Sequence, residues 1–279
     1  MWSKIIWILN LSPDSFSDGR IYSHNELENR IQNLIDNGAD IIDIGAESTA
    51  PGSKPITLEE ELRRLGDFFK IQEKFQNSWV QFSLDTKKSL VAKTWIENWI
   101  SLINDVSWGR ADSDMYSVIA SNPTTQYVVM YSKNADGHAD LYEHKNPQNI
   151  IKTVIDFFDA TIPRLLSEGI QKEQIILDPG MGSFISTDPA DSIRILQSLP
   201  LLKERYHLPF LIGTSRKGFL NKISPDKWPQ DRLASSIVSS LFASIQGADY
   251  LRVHDVYEMR QAWRMWDICT WVDSIQNSI

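Results

Sequence analysis

Cysteine is nearly absent from this sequence: Cys269 stands alone among 279 residues. A single thiol excludes an intrachain disulfide framework and a cysteine zinc site, and it fits a reducing compartment, so a cytoplasmic location is expected. Lying in a helical stretch beside Trp266 and Trp271, Cys269 reads as inert packing. Cations are in short supply too. Lys and Arg total 28 against 36 Asp and Glu, a formal net charge of −8. That balance argues against a general binder of nucleic acid or of anionic membranes, so any anionic ligand must be met by a local cluster of cations. No apolar run approaches the roughly 20 residues of a transmembrane helix, and no membrane partner is expected. Residues 5–11 are interrupted by Pro13-Asp14 and lack a small-residue cleavage site, so they read as a first strand and not as a signal peptide. Also missing are the G-x-S-x-G elbow, G-x-G-x-x-G and H-E-x-x-H. No repeat, low-complexity tract or linker cuts the chain, and residues 1–279 are read as one domain.

What is present is one pattern, repeated. Ile175-Ile176-Leu177-Asp178-Pro179-Gly180-Met181-Gly182 reads as a short buried strand that ends on a carboxylate and turns sharply. An apolar strand followed by a polar group and a turn recurs along the chain. Strands are expected at 4–9, 41–44, 79–84, 101–103, 126–130, 175–178, 208–212 and 250–253. Helices fall between them: Ser23-x-x-Glu26 is a capping box for a helix to about Asn37, and Thr57-x-x-Glu60 opens one running to about Lys74. Further helices are expected at 87–98, 113–121, 147–168, from Asp188-Pro189 onward, at 231–246 and at 256–272. Residues 131–146 show no period and read as a long loop. Eight strands alternating with eight helices are what a single (β/α)8 TIM barrel needs. A doubly wound open sheet is the alternative if one short strand is loop.

In such a barrel the C-terminal strand ends converge on one mouth. That places Asn10, Glu47 with Thr49, Asp85, Asn104, Asp178, Ser215-Arg216-Lys217 and Arg252-x-His254-Asp255 around a shared pocket. The acids and amides suit a ligand rich in ring N–H and amine donors. The cations suit a phosphate or pyrophosphate, with Mg2+ held through an oxygen such as that of Asn10. Each group alone has a plain structural reading: Asp178 as a turn cap, Arg216-Lys217 as a solvated turn, Arg252 and Asp255 as ion-pair members at a helix start. Glu47 is a candidate general base, though its small neighbours equally fit a loop. His138 and His144 have no ligand spacing.

Several segments, in order, resemble the dihydropteroate synthase family of pterin-binding barrels. They are residues 8–19, which begin Ile8-Leu9-Asn10 and include Ser15-Phe16-Ser17-Asp18-Gly19, and residues 38–49, which end Gly45-Ala46-Glu47-Ser48-Thr49. With them go Ile103-Asn104-Asp105-Val106-Ser107, Leu177-Asp178-Pro179-Gly180-Met181-Gly182, Ser215-Arg216-Lys217 and residues 247–255, which end Arg252-Val253-His254-Asp255. The resemblance implies that Asp85, Asn104, Asp178 and Lys217 hold a pterin ring, and that Asn10, Thr49, Arg252 and His254 hold a pyrophosphate with its Mg2+ on Asn10. It implies that pyrophosphate leaves first and that the amine of p-aminobenzoate then attacks the pterin-methyl cation. Asp85, Lys217 and Arg252 are the expected catalytic residues, Asp85 facing the developing cation. Phe16, Pro51, Phe184 and Ser215 are the expected aminobenzoate contacts, and a homodimer through the late helices, with Trp263, Trp266 and Trp271 as candidates, is expected from the family.

Some positions depart from the family pattern. Ala50 replaces a usual Arg, Ser183-Phe184-Ile185 replaces Phe-Gly-Lys, Tyr131 stands where a His is common, and Ser235 replaces a frequent Gly. The Asp178-to-Phe184 run is similar to the sulfonamide-insensitive branch, in which Phe184 would serve as a repositioned wall. The competing reading is a divergent pterin-binding paralogue with altered or lost use of the aminobenzoate. A pterin module without a pyrophosphate ligand, like the related methyltetrahydrofolate:corrinoid methyltransferase barrel, would not require Ser215-Arg216-Lys217 or Arg252-x-His254.

Overall fold

The computed structural model describes residues 2–11, 24–48, 53–75, 77–97, 99–134, 137, 139–140, 142, 146–225 and 228–276. Its strands are β1 (Lys4–Asn10), β2 (Ile41–Gly45), β3 (Gln81–Asp85), β4 (Ile100–Asp105), β5 (Gln126–Met130), β6 (Ile175–Asp178), β7 (Leu211–Ile212) and β8 (Tyr250–Val253). They form an eight-stranded sheet in the order β6-β5-β4-β3-β2-β1-β8-β7. Every pairing is parallel. The two ends of that order meet at a single parallel bridge between Leu177 and Phe210, where the Leu177 N–H donates to the Pro209 carbonyl at 2.9 Å. The sheet is therefore a nearly closed TIM barrel, and the open-sheet alternative is excluded.

The helices are α1 (His24–Asp36), α2 (Leu58–Gln72), α3 (Ser89–Ile96), α4 (Met115–Ala120), α5 (Ile150–Ser167), α6 (Pro189–Tyr206), α7 (Gly218–Ile223), α8 (Leu233–Ile245) and α9 (Val256–Gln276). Two of the expected caps are seen. The Thr57 hydroxyl accepts the Glu60 N–H at 3.3 Å, and Asp188 accepts the Ala190 N–H ahead of Pro189; each satisfies an orphan donor at the helix start. The Ser23 cap lies outside the described residues. Helix α7 was not foreseen, because residues 218–223 are too short a run for a helical period to stand out. Strand β7 is only two residues long, as residues 208–210 reach the barrel mainly through the closing bridge.

Each strand packs its outer face on the helices and its inner face on the barrel interior, so the strands are buried on both faces and read as nearly continuous apolar runs. Inside the barrel Ile6, Ile41, Leu102, Val128, Ile176, Leu211 and Tyr250 form a buried plug. Side chains alternate along a strand, so two residues further on the same strands present Asp43, Asn104, Asp178 and Arg252 in the next layer. The apolar plug is thus the floor beneath a polar layer. No helix among the described residues is long and apolar enough to cross a membrane. Cys269 is exposed, which corrects the expectation of a packed thiol. Trp263 is buried and stacks on Trp2 at a centroid distance of 5.3 Å, so it covers the base of the barrel, whereas Trp266 is 39% exposed. The side chain of Trp271 lies outside the described residues.

Candidate active site

The polar layer is organised on Asp43, a residue of the β2 interior with only 1% exposure. Its carboxylate accepts the Ser83 hydroxyl at 2.6 Å, the Asn104 amide N–H at 3.2 Å and the Arg252 Nε–H at 2.7 Å. A buried carboxylate is tolerable only when its lone pairs are used, and these three donors come from β3, β4 and β8. The second arm of Arg252 donates from Nη2 to Asp85 Oδ2 at 2.9 Å. Bonding the Asn104 nitrogen to a carboxylate also fixes the orientation of the amide, with its nitrogen toward Asp43 and its oxygen away from it.

Burial makes the charges here costly, and the shifts follow. Desolvation pushes the Asp85 carboxyl up to about 7; Arg252 opposes the rise while Asp43 and Glu61 reinforce it. Arg252 is desolvated as well, but Asp43 and Asp85 more than compensate and hold its pKa above the ordinary value. Arg252 therefore stays charged and Asp85 is poised between its two forms near neutrality.

On the other side of the mouth stands Asp178, buried at the end of β6, with its Oδ1 accepting the Gly180 N–H at 2.8 Å. Burial raises its pKa, and Lys217, Gly180 and Arg252 oppose the rise. Lys217 reaches in from the N-terminal edge of α7, where Nζ donates to the Met181 carbonyl at 3.3 Å and lies 4.9 Å from the centre of the Phe184 ring. Burial brings its pKa down to about 8, with Asp178 opposing the fall. An acid and an ammonium thus share this wall, and the Phe184 ring lies against the ammonium.

Past the end of β8, His254 Nδ1 lies 3.1 Å from Ser215 Oγ, which also accepts the His254 backbone N–H at 3.2 Å. Burial and the neighbouring charges of Arg216, Arg252 and Lys217 push His254 down to about 3. His254 is consequently neutral at ordinary pH, which corrects its inclusion among the cations: it can offer an N–H, not a positive charge. Arg216 pairs with Asp255 through Nη2 at 2.5 Å. Asn10 closes the strand-end ring; the Gly45 Cα separates it from Asp85, and a Cβ added there would stand 3.7 Å from Asn10 Oδ1 and 3.4 Å from Asp85 Cβ.

Glu47 is not built as a general base. Lys88 lies 2.5 Å from its Oε2 and Lys87 2.9 Å from its Oε1. Burial works to raise the Glu47 pKa, but these two lysines outweigh it and leave it lowered. A carboxylate held ionised by two cations anchors a loop and accepts protons poorly. The other end of this anchor is Glu61, which is 1% exposed, accepts the Thr86 hydroxyl at 2.6 Å and lies 2.5 Å from Lys88.

The structure therefore brings Asn10, Asp85, Asn104, Asp178, Phe184, Ser215, Lys217, Arg252 and His254 to one mouth. Thr49, Phe16 and Pro51, with Ala50, His138 and His144, lie outside the described residues. Sequence reasoning missed Asp43, whose signal was an acid inside the buried run Ile41-Ile42-Asp43-Ile44. It also missed Lys87, Lys88 and Glu61.

The strand ends of this parallel barrel gather carboxylates, an amide and the cations Lys217 and Arg252 at one mouth, and the family described as pterin binding enzyme matches residues 6–254. The chain belongs to this family. It is 36% identical over 265 residues to dihydropteroate synthase type-3 of Escherichia coli, covering 94% of this chain and 98% of that one. It is 34% identical over 272 residues to the dihydropteroate synthase of Synechocystis, covering 95% and 91%. Among solved structures, Xanthomonas albilineans dihydropteroate synthase with 4-aminobenzoic acid superposes with a TM-score of 0.84 at 30% identity, covering 97% of this chain and 94% of that one. The Clostridium difficile dihydropteroate synthase with pteroic acid gives 0.81 at 36% identity, covering 96% and 97%. The activity these relatives share is a transferase step of folate synthesis, the condensation of a pterin with p-aminobenzoate, and the chain is a member of that group.

Proposed function

We propose that the mouth of the barrel divides the reaction between two walls. Asp85, Asn104, Asp178 and Lys217 hold the ring of 6-hydroxymethyl-7,8-dihydropterin pyrophosphate, the carboxylates and the amide oxygen accepting its N–H groups. Arg252 and the neutral His254, with Asn10 and with Thr49 beyond the described residues, face the pyrophosphate. The observation that carries this reading is the position of Arg252, joined to Asp43 and Asp85 on the acid wall and two residues from His254 at the rim.

The chemistry needs no protein nucleophile. As the bond from the pterin methylene carbon to the pyrophosphate oxygen breaks, that oxygen takes the bonding pair and the carbon becomes cationic. Arg252 stabilises the departing anion and the Asp85 carboxylate the developing cation. The amine nitrogen of p-aminobenzoate then donates its lone pair to the methylene carbon and gives up a proton to solvent water, leaving 7,8-dihydropteroate. Phe184 and Ser215, with Phe16 and Pro51 beyond the described residues, are assigned to the aminobenzoate; Ser215 is partnered by His254 in this structure and acts from beneath that pocket.

The donor set fits Mg2+ in one specific way. Among the described residues no group of three or more His, Cys, Asp and Glu side chains can hold a metal. Mg2+ commonly takes one or two protein oxygens and completes its octahedron with phosphate oxygens and water, and Asn10 supplies such an oxygen beside Asp85. When bound with the substrate it would neutralise charge on the pyrophosphate.

Exposed Val238, Phe242 and Ile245 recur at helical spacing on α8, which supports a homodimer across that face, in line with a cytoplasmic enzyme. The Phe184 position supports poor sulfonamide binding, and an inhibition constant as low as that of sensitive enzymes would contradict it. Calorimetric titration of the pterin pyrophosphate with Mg2+ tests the acid wall: Asp178→Ala should abolish a binding signal that the parent shows, and equal binding by both would remove Asp178 from the site.

A further inference from the structure

The loop after β5 is fastened to the turn after β6 at three points. The Tyr131 N–H donates to the Asp178 carbonyl at 2.8 Å and the Lys133 N–H to the Phe184 carbonyl at 2.9 Å. Asn146 and Thr187 exchange two bonds, Nδ2–H to Oγ1 at 2.7 Å and the Thr187 N–H to Oδ1 at 2.9 Å. Within the loop is an ion pair that the reaction does not use. Lys133 Nζ lies 2.8 Å from Asp140 Oδ1, with side-chain exposures of 2% and 11%.

A lysine buried to that degree is expensive, and a buried pair adds little net stability over an apolar pair of the same volume. Its distinctive contribution is to fix one geometry. What this pair fixes is residue 133, whose N–H carries the Phe184 carbonyl, and Phe184 in turn covers the Lys217 ammonium at 4.9 Å. The Phe184 turn is independently seated on the other side, where the Gly182 N–H donates to Ser192 Oγ at 2.9 Å.

We propose that the Lys133–Asp140 pair is a positioning device for the second-substrate pocket: it holds the loop after β5 against the turn after β6, and so sets the Phe184 ring over Lys217. This inference rests on the assignment of Phe184 to the aminobenzoate side. It makes the loop after β5 a determinant of affinity for the aromatic amine.

The test is steady-state kinetics of the full chain with each substrate varied in turn, for Lys133→Met, Lys133→Arg, Phe184→Leu and the Lys133→Met/Phe184→Leu double variant. Lys133→Met should raise KM for p-aminobenzoate about fivefold to tenfold, the effect of losing one cation–π or wall contact, with KM for the pterin pyrophosphate within about twofold. Lys133→Arg should restore most of the loss, since it keeps the charge. The double variant should be no worse than Phe184→Leu alone, because both changes act through one ring. Should Lys133→Met fail to fold, Asp140→Asn takes its place with the same expected split. If Phe184→Leu leaves KM for p-aminobenzoate unchanged, the assignment of Phe184 is wrong. If Phe184→Leu raises it while breaking the Lys133–Asp140 pair does not, or raises both KM values alike, the positioning role is overturned.

Discussion

Arg252 is held by Asp43 across 209 residues of sequence, with Nε donating to Oδ2 at 2.7 Å. The other donor arm of the same guanidinium reaches Asp85 at 2.9 Å. A planar fork with each arm on a different carboxylate has little freedom to rotate, so the cation assigned to the pyrophosphate is aimed by an acid buried within β2.

Removing the charge of that acid should therefore mis-aim Arg252. Asp43→Asn is expected to lower kcat/KM for the pterin pyrophosphate by about one to two powers of ten, since a bond to a charged group is worth roughly 1.5–3 kcal/mol. Kinetics within about twofold of the parent would show that Arg252 keeps its aim without Asp43.

Activity should also be confined to a narrow pH range. Asp85 must be ionised to face a cation, and burial holds its pKa at about 7; Lys217 must be protonated to donate, and burial holds its pKa at about 8. The profile of kcat/KM against pH should fall on the acid side as Asp85 gains a proton and on the alkaline side as Lys217 loses one. Lys217→Arg, which cannot lose its charge in this range, should move the alkaline limb upward. An unchanged alkaline limb in that variant assigns the limb to another group.

Stability should respond to Asp85 in the opposite sense to activity. Its folded pKa of about 7 exceeds the roughly 3.9 of an unfolded chain, so the fold favours the neutral carboxyl. The stability this gives is full below the unfolded pKa and is lost as pH rises toward the folded one. Asn mimics the neutral form. Asp85→Asn should thus lose activity yet melt no lower than the parent at pH 8, with its advantage shrinking at pH 5. A melting temperature several degrees lower at pH 8 would show that the Arg252–Asp85 ion pair outweighs the burial cost.

Gly180 makes the turn beneath Asp178. It has φ +71°, and a Cβ there would stand 2.4 Å from the Tyr131 carbonyl oxygen. Gly180→Ala should destabilise the protein by about 2 kcal/mol or more, because both the backbone conformation and the contact are unfavourable. Denaturant unfolding measures this directly, and a loss below about 0.5 kcal/mol would mean that the turn relaxes freely.

The residues at the strand ends were legible because a buried parallel strand is a short apolar run, and the polar residue at its C-terminal end must face the barrel mouth. Asp85, Asn104, Asp178 and Arg252 were found that way. Asp43 was hidden by the same rule: it sits inside such a run, and its partners Ser83, Asn104 and Arg252 arrive from strands whose register only the closed barrel sets. The neutrality of His254 was likewise illegible, since it comes from burial beside Arg216, Arg252 and Lys217. Glu47 looked free to act as a base because its partners Lys87 and Lys88 lie some forty residues on, across a strand pair. Helix α7 and the two-residue β7 fall below the length at which a period can be read.

Whether this mouth joins a pterin to an aromatic amine by expelling pyrophosphate is tested most directly by measuring pyrophosphate release from dihydropterin pyrophosphate with Mg2+, with and without p-aminobenzoate, for the parent and for Asp178→Ala. Multiple-turnover release that requires p-aminobenzoate to capture the pterin-methyl cation, and that disappears in Asp178→Ala, is the predicted result. Tight binding of the pterin pyrophosphate with no p-aminobenzoate-dependent release would contradict it, and would mark Ala50 and Ser183 as signs of a lost or exchanged second substrate.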